Sequence, residues 1–193
     1  QQMGVHEPIH GFLTSAMRVQ DGGEIALKGR IHPKIEPEIG FVIGKDLRGR
    51  PSVAEAIRAV DGVCAALEII DSRYKNFEFQ LPDVVADNGS SSGFLLGSLL
   101  RKPTESLNLG NLGITLEVDG RPQIFGSSAA ILGHPGRSLA SLVSLLDQEG
   151  LFLPAGSIVL AGAATAAIPL AAGQWIRATF EGLGALEARC CST

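Results

Sequence analysis

Two glutamates separated by one residue, Glu36 and Glu38, stand in a segment whose apolar residues alternate. The apolar positions Ile35, Pro37 and Ile39 have the period of a strand with one buried face. The two carboxylates then project together from the opposite face, roughly 7 Å apart along the strand. Like charges held side by side repel unless a cation lies between them or one is protonated. Oxygen ligands of this kind suit Mg²⁺ or Mn²⁺, whereas the alternative is a solvated strand face with two exposed glutamates.

A third carboxylate, Glu68, lies within the apolar run 65–70. A carboxylate in a buried strand is costly unless it is paired or bound to a metal. Together with the first two glutamates it would complete a three-carboxylate site with positions open to a chelating substrate. The same arrangement is also compatible with a structural ion-pair cluster that includes Lys34, Lys45 or Arg73, and the residues alone leave both hypotheses open.

A strand, a short helix and a second strand are predicted to position these carboxylates. The first strand runs to Ile43. The capping-box pattern of Ser52 and Glu55 then opens a helix over 52–61. Residues 63–70 return as the second strand, so the three glutamates lie within one local unit.

An aromatic segment follows the second strand and contains Tyr74, Phe77 and Phe79. It could close over a substrate and exclude water, or it could be a loop anchored in the core by its rings. Residues 86–93 are small and hydroxyl-rich, which is typical of an anion-binding nest or of a flexible Gly/Ser loop. Residues 163–167 form a small-residue turn between two apolar strands, and its one hydroxyl is that of Thr165.

The composition excludes several classes of protein. A chain of 193 residues with 45% hydrophobic and 19% charged residues predicts one domain with a sizeable core. The net charge of −4, with no cluster of Lys and Arg, argues against nucleic-acid binding, and no uncharged apolar run reaches membrane-spanning length. The odd set of three cysteines favours a reducing cytoplasm, with Cys64 buried and inert and with Cys190 and Cys191 in a frayed tail.

Three long motifs resemble the fumarylacetoacetate hydrolase superfamily: HPKIEPEIGFVIGKDLRG, LEIIDSRYKNFEFQLPDVVADN and PAGSIVLAGAATAAIPL. Within it they are similar to the branch of 2-oxo-3-hexenedioate (4-oxalocrotonate) decarboxylases and 2-hydroxypenta-2,4-dienoate hydratases of aromatic meta-cleavage pathways. The similarity extends from Met3 to about Ala188. It implies an α+β fold that is mostly β, with a twisted β-roll core and a few short helices.

The resemblance also implies the composition of the site. Mg²⁺ or Mn²⁺ would be held by the three glutamates and would act as a Lewis acid while a small dicarboxylate 2-oxo acid loses CO₂. The residues expected to line the substrate are Asn88, Ser91, Thr165, Phe77 and Phe79. Two alternatives remain open, a hydratase that adds water to the dienoate and a non-catalytic partner subunit.

Members of this superfamily carry an N-terminal helical segment with a Gly-Leu-Lys-Met-Gly-like motif, whose lysine lines the active site. A chain that opens with Gln1-Gln2-Met3 is expected to lack that segment, leaving 1–193 as a single catalytic domain. The resemblance further implies a cytoplasmic homo-oligomer that can associate with the hydratase of the same pathway.

Overall fold

A computed structural model describes residues 8–104 and 106–193. The described residues form two five-stranded sheets and three α-helices. This confirms the predicted α+β class, which is mostly β with few short helices. In chain order the elements are β1 (Glu24–Ala26), β2 (Lys34–Ile43), α1 (Val53–Arg58), β3 (Val60–Ile70), α2 (Leu81–Ala86), β4 (Ser91–Leu96), β5 (Gly113–Val118), β6 (Arg121–Ser127), α3 (Pro135–Gln148), β7 (Ile158–Ala163), β8 (Ile168–Pro169), β9 (Trp175–Phe180) and β10 (Gly184–Cys191).

The first sheet has the order β4-β3-β2-β7, and β8 pairs with β2 beyond the end of β7. Strands β2 and β3 are antiparallel neighbours joined through α1. The predicted capping box is present, because the Ser52 hydroxyl accepts from the Glu55 N–H while the Glu55 carboxylate accepts from the Ser52 N–H. The helix is shorter than predicted. Asp61 and Gly62 belong to β3, and Gly62 lies opposite Val42 in the ladder, so pairing with β2 overrides the local turn signal.

One edge of β2 pairs with β3, and the other pairs with two shorter strands, β7 and β8. A proline in the middle of β2 explains why two strands rather than one lie along this other edge. Pro37 has no N–H for a ladder, and a central strand rarely tolerates that loss. Its carbonyl accepts from the N–H of Ala164 at 2.9 Å, so its nitrogen faces the same neighbour. At this point β7 ends and the chain leaves the sheet through the turn 164–167 before it returns as β8. No strand therefore requires the missing donor.

The second sheet has the order β1-β10-β9-β5-β6 and packs against the first through one hydrophobic cluster. Phe41 of β2, Phe180 of β9 and Leu139 of α3 are all at most 1% exposed within it. Helix α3 begins at Pro135, with His134 as its N-cap. The expectation of a frayed tail is wrong, because Cys190 pairs with Ile25 of β1 and is buried.

Across residues 8–104 and 106–193, no helix combines the length and the hydropathy needed to span a bilayer.

Candidate metal centre

The structure brings Glu36, Glu38 and Glu68 together on the β2–β3 pair. Glu36 lies directly opposite Glu68, and Glu38 follows two positions along β2 on the same face. One carboxylate oxygen from each residue lies within 4.8 Å of the other two. Glu36 is 8% exposed and Glu38 is 1% exposed, so the alternative of a solvated strand face is wrong.

No ion pair among the described residues neutralises these carboxylates. Arg73 instead pairs with Asp87, with 2.7 Å between Nε and Oδ1. The ammonium of Lys34 lies 4.2 Å from the centre of the Phe77 ring. Lys45 is exposed beyond the other end of β2. The alternative of a structural ion-pair cluster therefore has no support in the described contacts.

Burial of uncompensated carboxylates favours their neutral forms. Burial raises the pKa of Glu36 to about 8, with repulsion from Glu68 adding to the rise and the charge of Lys34 opposing it. Burial raises the pKa of Glu38 well above its ordinary range, and the two other glutamates add to the rise. Burial also raises the pKa of Glu68, an effect moderated by contacts with Ser91 and Glu38. Without a cation the cluster retains protons, which a divalent cation would displace.

The donor set fits a hard divalent cation. Mg²⁺ prefers carboxylate oxygens and retains positions for water or substrate oxygens. Two buried carboxylates and the partly buried Glu68, with converging oxygens and no ion-pair partner among the described residues, meet that requirement. These three residues could therefore hold Mg²⁺ or Mn²⁺ together.

A glycine bulge in β7 orients one of these carboxylates, and sequence reasoning did not identify it. The register between β2 and β7 shifts between Glu38 and Gly40. At the shift, the N–H of Gly162 donates to Glu38 Oε2 at 2.6 Å. Gly162 has φ +101°, a conformation that L residues rarely adopt, so glycine is required there. The bulge therefore orients Glu38 through one of its carboxylate oxygens.

Ser91 and Asn88, both predicted substrate contacts, differ in their placement. Ser91 is buried opposite the end of β3, near Glu68. Its hydroxyl lies beside the Glu68 carboxylate and moderates the rise in the pKa of that group. The Asn88 amide instead binds the backbone of Phe12, accepting from its N–H at 2.7 Å and donating to its carbonyl at 2.9 Å. The structure therefore uses Asn88 to attach the segment that precedes β1.

The residues around Asn88 have regular secondary structure. Residues 88–90 form a 3-10 turn that leads directly into β4. Ser90 is fully buried and donates to Asp87 Oδ2 at 2.7 Å. These contacts do not support the alternative of a flexible Gly/Ser loop, and at least one hydroxyl of the nest expected there is already engaged by the protein.

Thr165 lies in the turn between β7 and β8, the two strands that pair with the same edge of β2. The preceding residue pair, Glu38 and Ala163, is the last contact of β7 with β2, so the turn emerges beside the carboxylates. The Thr165 side chain is buried, and its hydroxyl donates to the carbonyl of Ala166 at 3.0 Å. Gly126 of β6 packs against this turn, since a Cβ there would lie 2.3 Å from Thr165 Cγ2. Sequence reasoning missed that glycine.

The aromatic segment lies over the start of β2 and is only half buried. Phe77 is 6.5 Å from Phe79 between ring centroids, and Tyr74 is 6.0 Å from Phe79. None of the three rings is buried, so the alternative of a loop anchored in the core is not supported. Phe77 contacts His32 and Lys34, and Lys34 is two residues from Glu36 on β2.

A buried carboxylate holds the base of this segment. Asp87 is 2% exposed. It accepts from the hydroxyls of Ser72 at 3.1 Å and Ser90 at 2.7 Å, and it pairs with Arg73. These bonds join the end of β3 to the start of β4 and close the aromatic segment as a loop.

Comparison with known proteins shows similarity over nearly the whole chain. Residues 4–190 match the family described as "Fumarylacetoacetate (FAA) hydrolase C-terminal". A 4-oxalocrotonate decarboxylase of a Pseudomonas species is 50% identical, over 96% of this chain and 72% of the relative. A 2-hydroxyhexa-2,4-dienoate hydratase of Comamonas testosteroni is 36% identical, over 94% of this chain and 70% of the relative.

Solved structures of related proteins show the same similarity. The 4-oxalocrotonate decarboxylase of Pseudomonas putida G7, complexed with magnesium and adipate, superposes with a TM-score of 0.92. It is 43% identical, and the alignment covers 98% of this chain and 72% of that one. The chain therefore belongs to the fumarylacetoacetate hydrolase family.

Proposed function

We propose that this chain is a carbon–carbon lyase that releases CO₂ from 2-oxo-3-hexenedioate (4-oxalocrotonate) and leaves 2-hydroxypenta-2,4-dienoate. The observation that carries the proposal is the cluster of three carboxylates, two of them buried and none in an ion pair with a described residue, in a chain 50% identical to a 4-oxalocrotonate decarboxylase. Magnesium accompanies a related decarboxylase in its crystal structure, which supports Mg²⁺ as the cofactor, with Mn²⁺ as an alternative.

The chain's own residues would bind and orient the substrate. Glu36, Glu38 and Glu68 would hold the cation, and the buried hydroxyl of Ser91 beside Glu68 would contact a substrate oxygen. When bound, a divalent cation supplies Lewis-acid stabilisation for the negative charge that develops on the C2 oxygen as CO₂ leaves. The rings of Phe77 and Phe79 would limit the access of water to the conjugated chain.

A hydratase is the second candidate function. Several relatives named as hydratases are 35% to 37% identical to this chain, so the fold and the carboxylates are compatible with either reaction. The higher identity to decarboxylases favours decarboxylation. A non-catalytic partner subunit, which belongs to another functional class, would need no complete carboxylate cluster.

Direct turnover tests the proposal. The purified chain is incubated with Mg²⁺ and 2-oxo-3-hexenedioate, with CO₂ and the dienoate both quantified, and EDTA serves as the control. We expect stoichiometric release of the two products, dependent on the cation. Formation of 4-hydroxy-2-oxopentanoate from added dienoate, without CO₂ release from the hexenedioate, would assign the hydratase reaction. Absence of both activities would favour the non-catalytic subunit.

We also propose that the chain acts in the cytoplasm as a homo-oligomer and associates with the hydratase of its pathway. The two reactions are consecutive, because the dienoate that one enzyme releases is the compound that the other hydrates. The three thiols are free, as a reducing compartment requires. Light scattering after gel filtration gives the oligomeric state, and co-elution with a pathway hydratase tests the complex.

A further inference from the structure

Lys34 extends the row of charged residues on β2 away from the carboxylates. It shares a face with Glu36 and Glu38, because alternate residues of a strand point the same way, and it lies about 7 Å along the strand from Glu36. The cluster and the ammonium therefore belong to one continuous surface.

The ammonium of Lys34 has no anionic partner among the described residues. Its Nζ lies over the Phe77 ring, 4.2 Å from the ring centroid. A ring face attracts a cation but accepts none of the three ammonium protons as strongly as a carboxylate oxygen would. The lysine is therefore positioned by an aromatic contact while its hydrogen-bonding capacity remains unused.

His32 contributes a second unused polar group on the same ring. Its imidazole lies 4.7 Å from the Phe77 ring between centroids. Nε2 is buried and has no hydrogen-bond partner among the described residues. The backbone around it is held firmly, since Asp71 accepts from the N–H groups of His32 at 2.8 Å and Ile31 at 2.9 Å. Buried ring nitrogens normally have a partner, so a ligand is the simplest source of one here.

We propose that His32, Lys34 and Phe77 form a subsite that receives the far carboxylate of a dicarboxylate substrate. This distal subsite rests on the proposed function, which places the other end of the substrate at the three glutamates. A six-carbon dicarboxylate has a length comparable to the separation of Lys34 from Glu36 along the strand. Lys34 would supply a charge-assisted hydrogen bond, His32 a second polar contact and Phe77 a wall that limits solvation.

The distal subsite gives the chain a basis for choosing its substrate. The dienoate used by a hydratase has one carboxylate, which the glutamate end of the site would occupy, and nothing in it would pair with Lys34. The distal subsite therefore selects dicarboxylates over monocarboxylates of the same length, and it fixes the orientation of the carboxylate that leaves as CO₂.

Calorimetric titration of adipate and of hexanoate, in saturating Mg²⁺, tests the inference without relying on turnover. These two probes have the same chain length and differ by one carboxylate. We expect the intact chain to prefer adipate between about tenfold and a hundredfold, the range for one charge-assisted hydrogen bond. Lys34→Met should lose most of this preference, whereas Lys34→Arg should retain it. Lys45→Met, which removes a lysine beyond the other end of β2, should leave it unchanged.

His32→Phe retains a ring against Phe77 and removes only the polar atoms, so it provides a second variant in case Lys34→Met folds poorly. We expect a smaller but measurable loss of the preference for adipate. Equal binding of the two probes by the intact chain, or an undiminished preference in both variants, would overturn the inference. If the intact chain releases CO₂ while the variants keep their preference, only the distal subsite is wrong. If the preference is lost in the variants but no CO₂ is released, only the decarboxylase assignment is wrong.

Discussion

Glu38 is almost inaccessible to solvent, and the N–H of Gly162 occupies one of its oxygens. In the absence of a cation its charge would be confined with those of Glu36 and Glu68 in a poorly solvated space, so protonation relieves the cost. In the presence of a cation the same burial strengthens the attraction, because little water competes for it. Burial of Glu38 therefore destabilises the charged cluster without a cation and stabilises the cluster with a bound cation.

Glu38→Gln should separate these two effects. Glutamine has the shape of the protonated acid and can still accept from the Gly162 N–H, so the metal-free variant should unfold at nearly the same temperature as the parent chain. Its affinity for Mg²⁺ should fall at least about tenfold, because one of three anionic ligands is lost. Thermal unfolding with and without Mg²⁺ measures both quantities. Glu24→Gln, at an exposed position on β1, is the control. Equal stabilisation of variant and parent by Mg²⁺ would remove Glu38 from the metal site.

The stability of the metal-free chain should fall as the pH rises from about 5 to about 8. The pKa of Glu36 is raised from 4.5 to about 8, so in this window the folded chain holds a proton that the unfolded chain has released. Raising the pH therefore favours unfolding. The measurement is the unfolding midpoint in EDTA across this range, compared with Glu36→Gln, in which the decline should be smaller. An identical pH dependence in both proteins would contradict the assignment.

The residues of the carboxylate cluster were predictable because local patterns carry them. The alternation around Pro37 placed Glu36 and Glu38 on one face, and the apolar run around Glu68 marked it as costly. Gly162 and His32 were not identified. The hydrogen bond of Gly162 to Glu38 spans 124 positions, and the unused nitrogen of His32 becomes apparent only once its surroundings are known. No local periodicity encodes either contact.

At the scale of elements, the bulge in β7 has a structural role that differs from that of an ordinary turn. Gly156 and Gly162 both have positive φ, +84° and +101°, and both have open space where a Cβ would lie. Substitution by alanine should therefore strain the backbone at either position by about 1–3 kcal/mol. Only Gly162 donates to a carboxylate of the cluster.

Gly162→Ala and Gly156→Ala form a matched pair. We expect both substitutions to lower the free energy of unfolding in EDTA by similar amounts, while only Gly162→Ala weakens Mg²⁺ binding, since only there does the backbone orient Glu38. Calorimetric titration of Mg²⁺ into each variant provides the comparison. Equal Mg²⁺ affinities in the two variants would show that the bulge has no influence on the site.

Elements with their own start signals were predicted well, and elements defined by distant partners were not. The capping box of Ser52 and Glu55 identified α1. The sequence also carries a signal for α2 that was overlooked, because Asp83 accepts from the Gln80 N–H at 2.9 Å and Pro82 lies in the first turn. Asp61-Gly62 has the form of a turn, yet its pairing with β2 makes it strand.

At the scale of the whole molecule, the two sheets share one hydrophobic cluster. We propose that they unfold together, as expected of a single catalytic domain. Each sheet carries a buried thiol, Cys64 in β3 and Cys190 in β10, and burial raises the pKa of both to about 11. Neither thiol is therefore reactive at neutral pH in the folded chain.

Thiol labelling along a urea titration tests this proposal. We expect Cys191, which is only partly buried, to react in the native chain, and Cys64 and Cys190 to become reactive at the same urea concentration. Mass spectrometry of the labelled peptides distinguishes the three sites. Exposure of Cys190 at a clearly lower urea concentration than Cys64 would mean that the second sheet unfolds independently.

The parallel pairing of β1 with β10 joins distant parts of the chain. Beside it, the Glu187 N–H donates to the Asp21 carboxylate across 166 positions. During synthesis on a ribosome, Glu36, Glu38 and Glu68 emerge long before Gly162 and the final strand. Before Gly162 is present the hydrogen bond that orients Glu38 cannot form, so we expect no cation site in the native arrangement. Stalled nascent chains that end before Ile158 should show no protection from protease by Mg²⁺, whereas chains extended through β10 should. If the three glutamates hold the cation as proposed, we therefore expect metal to bind only after β10 has been synthesised.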